Sequence, residues 1–424
     1  MEIVITCNPQ NVEYTMKTNF DEFNKGPHFA EIFDFLGNGM FVADGESWSG
    51  QRKMAVTRFA SKKFQSFCSE KNEEVVTEGL IPVLQDAVER GSTIDLQEVF
   101  KRLAFDVTFA SVLGKNPGFL SVNFVENEFS KALDTLTRVA FLRHTLPSFW
   151  WKTMRLLGIG WERQYEQALG ALDRRLNDFI SVKKQGLAKG QTCDDLLATY
   201  MKSSSGGDEE KFLRDTALTF IFAGQDTVSS GLTWFFYMLS KSPSVEAKIL
   251  EEVKLVMYSN YNNEEEEEEK KMDLRKLKYL EAAILESMRL NPPVPIEHKS
   301  AKKKDVLPDG TIVGPGNIIL FSLFAMGRMK WIWGEDCLDF KPERWIEEKT
   351  GNLKHEPSSK YPVFNVGPRA CLGKKMGLTV MKTVIAAILL HFHVEVVEGQ
   401  SVRPVPSVIL KMKDGLKVIV KERS

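Results

Sequence analysis

The stretch FNVGPRACLGKKMG, Phe364 to Gly377, sets one cysteine two residues after an arginine, with glycines four before and two after it. A cysteine at a helix start has its thiolate stabilised by the helix dipole and by free backbone N–H groups. The apolar periodicity of LGKKMGLTVMKTVIAAILLHF predicts such a helix, beginning near Leu372. Gly367 permits a positive φ, and Gly373 lets a flat group approach the backbone closely. Arg369 adds a fixed cation nearby. A buried thiolate facing a flat, acid-bearing partner describes an axial cysteine under haem. A cysteine taken at random is more often a buried structural residue; the glycine and arginine frame separates Cys371 from that background.

Three further stretches carry polar groups at helical spacing. AGQDTVSS, Ala223 to Ser230, lies inside a long periodic run, where Gly224, Thr227 and Val228 are poor helix formers. Something other than helix stability selects them; the plain alternative for Thr227 is a hydroxyl bonded back to its own helix. LEAAILESMRL places Glu286 and Arg289 three apart on one face, the spacing of a helical ion pair. WSGQRK places Trp48 and Arg52 four apart in the same way.

The rest of the composition excludes other chemistries. The five cysteines (Cys7, Cys68, Cys193, Cys337, Cys371) are odd in number and scattered, with no CxxC. That is no disulfide framework, and it fits a reducing compartment. No cysteine or histidine pair has zinc-ligand spacing, and His391 and His393 lie in HFHVEVVEG, which alternates like a strand. A formal net charge of −1 gives no field for nucleic acid. The opening MEIVITCNPQNVEY lacks the regions of a signal peptide, and no apolar run reaches the roughly 18–20 residues of a membrane span. It begins on strand-like alternation (Ile3, Val4, Ile5), as a chain entered in mid-fold would.

The elements that must position these residues are mostly helical. Three- and four-residue apolar spacing predicts helices over Phe64–Arg90, Leu96–Leu113, Trp161–Gln185 and Lys211–Ser242, the last ended by Pro243. Leu274–Leu290 is another, stopped by Pro292 and Pro293. NNEEEEEEKK, Asn262 to Lys271, reads as a solvated loop. Short strands follow in VLPDGTIV (turning at Asp309-Gly310), NIILFS, VPSVILKM and GLKVIVKE. There are no internal repeats, and one large helical body with small sheets is the economical reading.

Phe364, Gly367, Arg369, Cys371 and Gly373 form FxxGxRxCxG, which resembles the haem-binding signature of the cytochrome P-450 monooxygenases. Glu286 and Arg289 match the family's ExxR, and Arg344 in FKPERW matches the arginine that joins them in a buried cluster. AGQDTVSS matches the distal helix, which in the family opens beside the iron to form an oxygen groove. The resemblance makes Asp226 and Thr227 the acid–alcohol pair that relays protons to dioxygen. Plant relatives usually read AGRDTTSS; here Gln225 replaces the arginine and Val228 the second threonine. Trp48 and Arg52 match WxxxR. With Arg369, and His298 in PPVPIEHKS, they hold the positions from which the family reaches the haem propionates. The likeness covers nearly the whole chain. FAMGRMKWIWGEDCLDFKPERW and ESMRLNPPVPIEHKS look most like the plant group of mid-chain alkane hydroxylases, with fatty-acid ω-hydroxylases close by.

The resemblance implies a mainly α fold with small β-sheets, the cytochrome P-450 fold, as a single catalytic domain over 1–424. It also implies that the family's N-terminal membrane anchor and first elements are missing. Cys371 becomes the metal ligand of haem b (iron protoporphyrin IX), its thiolate favouring O–O cleavage, with O2 as co-substrate. No GxGxxG loop or flavin segment is present, so electrons come from NADPH through a partner, NADPH-cytochrome P-450 reductase. Lys374, Lys375 and Lys382 offer it positive charge over the cysteine. A full-length form is expected as a monomer on the cytosolic face of the endoplasmic reticulum membrane. The implied reaction is hydroxylation of a long-chain lipid, alkane or fatty acid, its regioselectivity set by positioning. Phe220, Phe222 and Ala223, Val294 to Ile296, and the segment Phe33 to Phe41 are candidate walls, with Lys25 or His28 to anchor a carboxylate. Phenol coupling, hydroperoxide rearrangement (against which Asp226 and Thr227 argue) and a non-catalytic haem-binding remnant are the competing readings.

Overall fold

The computed structural model describes residues 2–203, 209–261 and 272–423. The first quarter carries α1 (Pro9–Glu13), α2 (Gly26–Ile32), α3 (Gly45–Ala60), α4 (Lys62–Val75) and α5 (Ile81–Arg90). The helical body follows: α6 (Leu96–Leu113), α7 (Glu128–Thr145), α8 (Ser148–Leu157), α9 (Gly160–Ala188), α10 (Leu196–Ser203), α11 (Glu209–Ser240), α12 (Pro243–Tyr261) and α13 (Lys278–Leu290). Short turns α14 (Leu323–Met326) and α15 (Lys330–Trp333) precede the last long helix, α16 (Lys374–His391). The fold is mainly α with small sheets, as the residue pattern implies.

Among the described residues the strands make four separate sheets. β1 (Ile3–Thr6), β7 (Ile318–Ser322), β4 (Ile296–Ala301) and β2 (Phe23–Asn24) lie side by side in that order, β1 parallel to β7 and the other pairs antiparallel. β3 (Thr93–Asp95), β11 (Lys417–Glu422) and β8 (Phe392–Val396) form a second sheet. The hairpins β5 (Asp305–Val306) with β6 (Ile312–Val313), and β9 (Pro404–Val405) with β10 (Lys411–Met412), complete the set.

Local chemistry explains where the elements depart from their sequence pattern. The run 64–90 is divided: a π-helical turn over Val76–Leu80 joins α4 to α5, where Pro82 has no N–H to return to the preceding turn. The helix expected from Leu274 begins at Lys278, because the Asp273 carboxylate accepts the Arg275 N–H at 3.1 Å and holds a turn there instead. The strand expected across VPSVILKM is split between the two arms of a hairpin, Val405 in β9 and Lys411–Met412 in β10; Pro404 and Pro406 cannot donate to a ladder. His391 closes α16 while His393 lies on β8 facing Glu246, so the two histidines belong to different elements. The stretch 262–271 lies outside the described residues.

Two internal contacts set the geometry of the body. α11 crosses α6 so closely that a Cβ on Gly224 would stand 2.5 Å from the Thr108 Oγ1. That packing requirement accounts for the mid-helix glycine. The second contact is the Glu286 carboxylate of α13, fully buried with Arg289. Arg289 donates to it through Nε and Nη2, both at 2.8 Å, and Arg344 Nε at 3.3 Å. The Trp345 indole at 2.8 Å and the Lys341 N–H at 3.1 Å complete the shell. Glu286→Ala leaves the buried Arg289 without its counter-charge, while Arg344 keeps Asp336 at 2.9 Å, and is expected to cost about 3–5 kcal/mol, read as a lowered midpoint in urea denaturation. An unchanged midpoint would mean that the cluster does not hold the fold.

Candidate active site

The cysteine loop is closed by its own backbone. Cys371 N–H donates to Phe364 C=O at 2.7 Å, and Ala370 N–H to Gly367 C=O at 3.0 Å. Gly367 has φ +65°, and a Cβ there would meet the Met16 carbonyl at 2.1 Å, so both conformation and space require glycine. Phe364 is half-buried, with the Lys374 ammonium 5.3 Å from its ring. The Cys371 side chain is solvent-accessible, yet burial pushes its thiol pKa up, opposed by the Gly373 and Lys374 N–H groups and by Arg52. The thiol is thus reachable from solvent, with protein atoms around it that disfavour its charge. Beside it Gly373 leaves the backbone open: a Cβ would find only the Cys371 sulfur, at 3.9 Å.

Cations gather on one side of the cysteine loop. Arg52 of α3 donates to the Ala370 carbonyl. Trp48, one turn earlier, lies 4.7 Å from the Arg369 guanidinium. Arg369 donates to Asp44 Oδ1 at 2.6 Å and Ala43 C=O at 2.7 Å, while its Nε has no partner. Lys299, on β4, is wholly buried; its Nζ makes no hydrogen bond and stands 3.9 Å from Glu297. Burial drives its pKa down to about 7, with Lys25 and Arg369 adding repulsion and Glu297 and Asp44 opposing.

His298 does not join this group. Successive strand residues point to opposite faces, and His298 faces His28, His144 and Phe29, with ring centroids at 6.5, 6.2 and 5.1 Å. The residue that reaches the Arg369 side is its neighbour Lys299. Sequence reasoning passed over it because the parity of a strand is invisible until its partners are known.

On α11, Ala223, Thr227 and Val228 form one accessible stripe, with Gly224 at its edge against Thr108, while Phe222, Gln225 and Asp226 are buried. Asp226 Oδ2 receives Lys411 Nζ at 2.8 Å, and Lys411 also meets Asp134 at 3.1 Å. Burial works against the charge on Lys411, but Asp226 and Asp134 outweigh it and raise its pKa. Thr227 donates to the Ala223 carbonyl at 2.7 Å. The two side chains of the expected relay are therefore held apart, each by its own partner. The helix is continuously α-helical over Glu209–Ser240, with none of the expected opening, and the threonine hydroxyl bonds back within its own turn.

Beside the stripe, Phe222 joins Phe33, Phe35 and the partly buried Phe41 in an aromatic wall that is part of the core. Phe222 packs on Phe33, Phe35 and Phe41 at centroid distances of 6.2, 5.4 and 5.6 Å. Asp34, between two of these rings, is fixed by Arg143 at 2.9 Å and Arg155 at 2.8 Å, and Arg143 also holds the buried Glu162 at 2.7 Å. Phe220 turns the other way, stacking on Phe59 at 5.6 Å. Lys25 is buried and paired with Glu297 at 2.6 Å, so it offers no free cation to a carboxylate. Lys374 and Lys375 are exposed as expected, but Lys382 is buried against Glu281 and drops out of any docking surface.

These residues fit a haem: an accessible thiol, an open glycine backbone beside it, and buried cations with unpaired donors for acid groups. The chain belongs to the cytochrome P-450 family, whose model matches residues 1–420. It is 40% identical to the alkane hydroxylase MAH1 of Arabidopsis thaliana, over all of this chain and 84% of that one. Cytochrome P-450 86B1 of the same plant is 39% identical over 99% of this chain and 77% of its own. A noroxomaritidine synthase of Narcissus aff. pseudonarcissus is likewise 39% identical, over 100% and 83%. The protein is thus an oxygenase that uses haem iron, O2 and electrons from a reductase.

Cys371→Ala is expected to abolish the red-shifted Soret band of the reduced carbonyl complex, while Cys68→Ala and Cys337→Ala keep it. In the same preparations Lys299→Met should lower the haem-to-protein ratio. A normal band in Cys371→Ala would remove it as the ligand.

Proposed function

We propose that this chain, as one catalytic domain, hydroxylates a long-chain aliphatic substrate, with Cys371 as the ligand of haem b. Phe364, Gly367 and Gly373 shape the loop around that ligand. Trp48, Arg52, Arg369 and Lys299 hold the propionates, Lys299 taking the place first given to His298. When bound, haem supplies reductive activation of O2, from which one oxygen atom enters a C–H bond. The protein's own residues do the rest. The wall formed by Phe33, Phe35, Phe41 and Phe222 supports the aliphatic reading, together with the relative named an alkane hydroxylase. Saturated C–H bonds differ little in reactivity, so the wall selects the carbon by position. Thr227 presents its hydroxyl on the accessible stripe of α11, and Asp226 holds a carboxylate one residue away against Lys411. Proton delivery runs through these two once Lys411 releases the acid. NADPH-cytochrome P-450 reductase meets the exposed Lys374 and Lys375, and the protein works as a monomer at the endoplasmic reticulum membrane. Among the described residues no helix is long and apolar enough to cross a membrane.

The relatives named noroxomaritidine synthase favour a second reading, specialised-metabolite oxidation such as phenol coupling. Chain-length titration separates the two. Each buried methylene is worth about 0.8 kcal/mol, or roughly fourfold in affinity, so the spin-state shift should tighten with chain length and then level off. A phenolic amine that binds more tightly than every lipid, and gives coupled rings, would establish the second reading.

Thr227→Ala should still bind haem and consume NADPH with reductase, but release more peroxide and lose product by roughly 10²-fold or less. Equal product yield would assign Thr227 to helix structure alone.

A further inference from the structure

Three of the six histidines in the chain converge from separate elements: His28 on α2, His144 in the last turn of α7, and His298 on β4. His298 lies 6.5 Å from His28 and 6.2 Å from His144, ring centroid to ring centroid. Its ring is 4% exposed, and neither nitrogen has a partner. Buried polar side chains are nearly always hydrogen-bonded, so two unmade bonds on one enclosed ring call for a ligand group. The surroundings define its chemistry. His144 Nδ1 stands 3.0 Å from the Ala140 carbonyl, so that nitrogen carries the proton and Nε2 is left as an acceptor. Burial lowers the pKa of His298 to about 3 and of His144 to about 4, and lowers that of His28 as well. The rings are neutral at pH 7. The cations that face these rings, Lys25 and Lys152, are occupied by Glu297 at 2.6 Å and Glu31 at 2.7 Å, and the Glu297 carboxylate would repel a second one. What remains is a site with donors and acceptors but no net charge to offer an anion.

The site also adjoins the apolar wall. Phe29 touches the His298 ring at 5.1 Å and Phe41 at 5.6 Å, and Phe41 continues to Phe222 beside the accessible Ala223. A chain lying along these rings would have one end at the histidines and a carbon further along near α11.

We propose that His298, flanked by His28 and His144, is a subsite for a neutral oxygen function, an alcohol or a carbonyl, carried by the aliphatic substrate. The proposal rests on the lipid reading above and narrows it: the natural substrate is an already oxygenated chain, the product of an earlier hydroxylation or reduction, and not a free fatty acid. An alcohol matches the site best, since it both donates and accepts.

The test uses haem-loaded protein and four chains of one length: alkane, alcohol, ketone and carboxylate, each titrated by calorimetry. The alcohol or ketone should bind about 3- to 10-fold more tightly than the alkane, the size of one net hydrogen bond, and more tightly than the carboxylate. In His298→Leu the alcohol-to-alkane ratio should fall towards one, and His298→Gln, which keeps a donor and an acceptor, should restore part of it. Should His298→Leu lose its haem, His144→Leu carries the same comparison, with the same expected fall. Tightest binding by the carboxylate, or a ratio unchanged in these variants, overturns the subsite alone and leaves the His298 nitrogens to water. Failure of all four chains to bind overturns the lipid reading with it.

Discussion

A carboxylate with no contact to solvent lies at the centre of this structure. Glu286 accepts from two nitrogens of Arg289, one of Arg344, the Trp345 indole and the Lys341 backbone. Removing a charge from water costs several kcal/mol, which only mutual pairing and complete hydrogen bonding offset. The arginines meet that condition by reaching further. Arg289 donates to the carbonyls of Cys337 at 2.7 Å and Asp339 at 3.0 Å, and Arg344 to those of Trp333 and Asp336. A single buried charge thereby gathers the irregular segment 333–345 onto α13, where neither helix nor sheet pairing would hold it.

That segment leads to the cysteine loop, and further contacts carry the order along it. Trp345 packs against Tyr361 at 4.6 Å, and the Tyr361 hydroxyl donates to Leu285 C=O at 2.9 Å on the same helix. Three residues later Phe364 begins the loop that presents Cys371. The chemical site is thus anchored on one side by α13 and on the other by Met16, whose carbonyl leaves room for nothing larger than Gly367. Rigidity here matters because a ligand sulfur must keep its place through the reaction.

The opposite wall depends on α11 having two different faces. Its packed side is fixed by the close crossing at Gly224 and by Lys411 bridging Asp226 and Asp134. Its other side is left accessible along Ala223, Thr227 and Val228. The same helix therefore serves as core and as site lining, and the residues unfavourable to a helix are those at the border between the two roles. The Asp34–Arg143–Glu162 network does for the phenylalanine wall what Glu286 does for the cysteine side: it locks a loop that carries apolar rings by pairing the charge between them.

Much of this was legible in the residues alone. The frame around Cys371 specified its loop, since glycine at 367 reports a positive φ and a close neighbour wherever it occurs. Apolar periodicity placed the helix over Leu96–Leu113 to the residue, because a 3.6-residue repeat needs no partner to be read. The pairing of Glu286 with Arg289 followed from their separation of three on one helix. Only the tertiary structure decided which face meets which neighbour. In IEHKSA, strand alternation separates His298 from Lys299, but the pairing of β4 with β7 determines which of them turns towards Arg369. Asp226 and Thr227 are adjacent in sequence, yet 100° of helical rotation and a lysine from a distant hairpin send them apart. Lys382 looked like its neighbours until α13 supplied Glu281 to bury it. Periodicity fixes which residues share a face; only the partner that covers the face decides what it does.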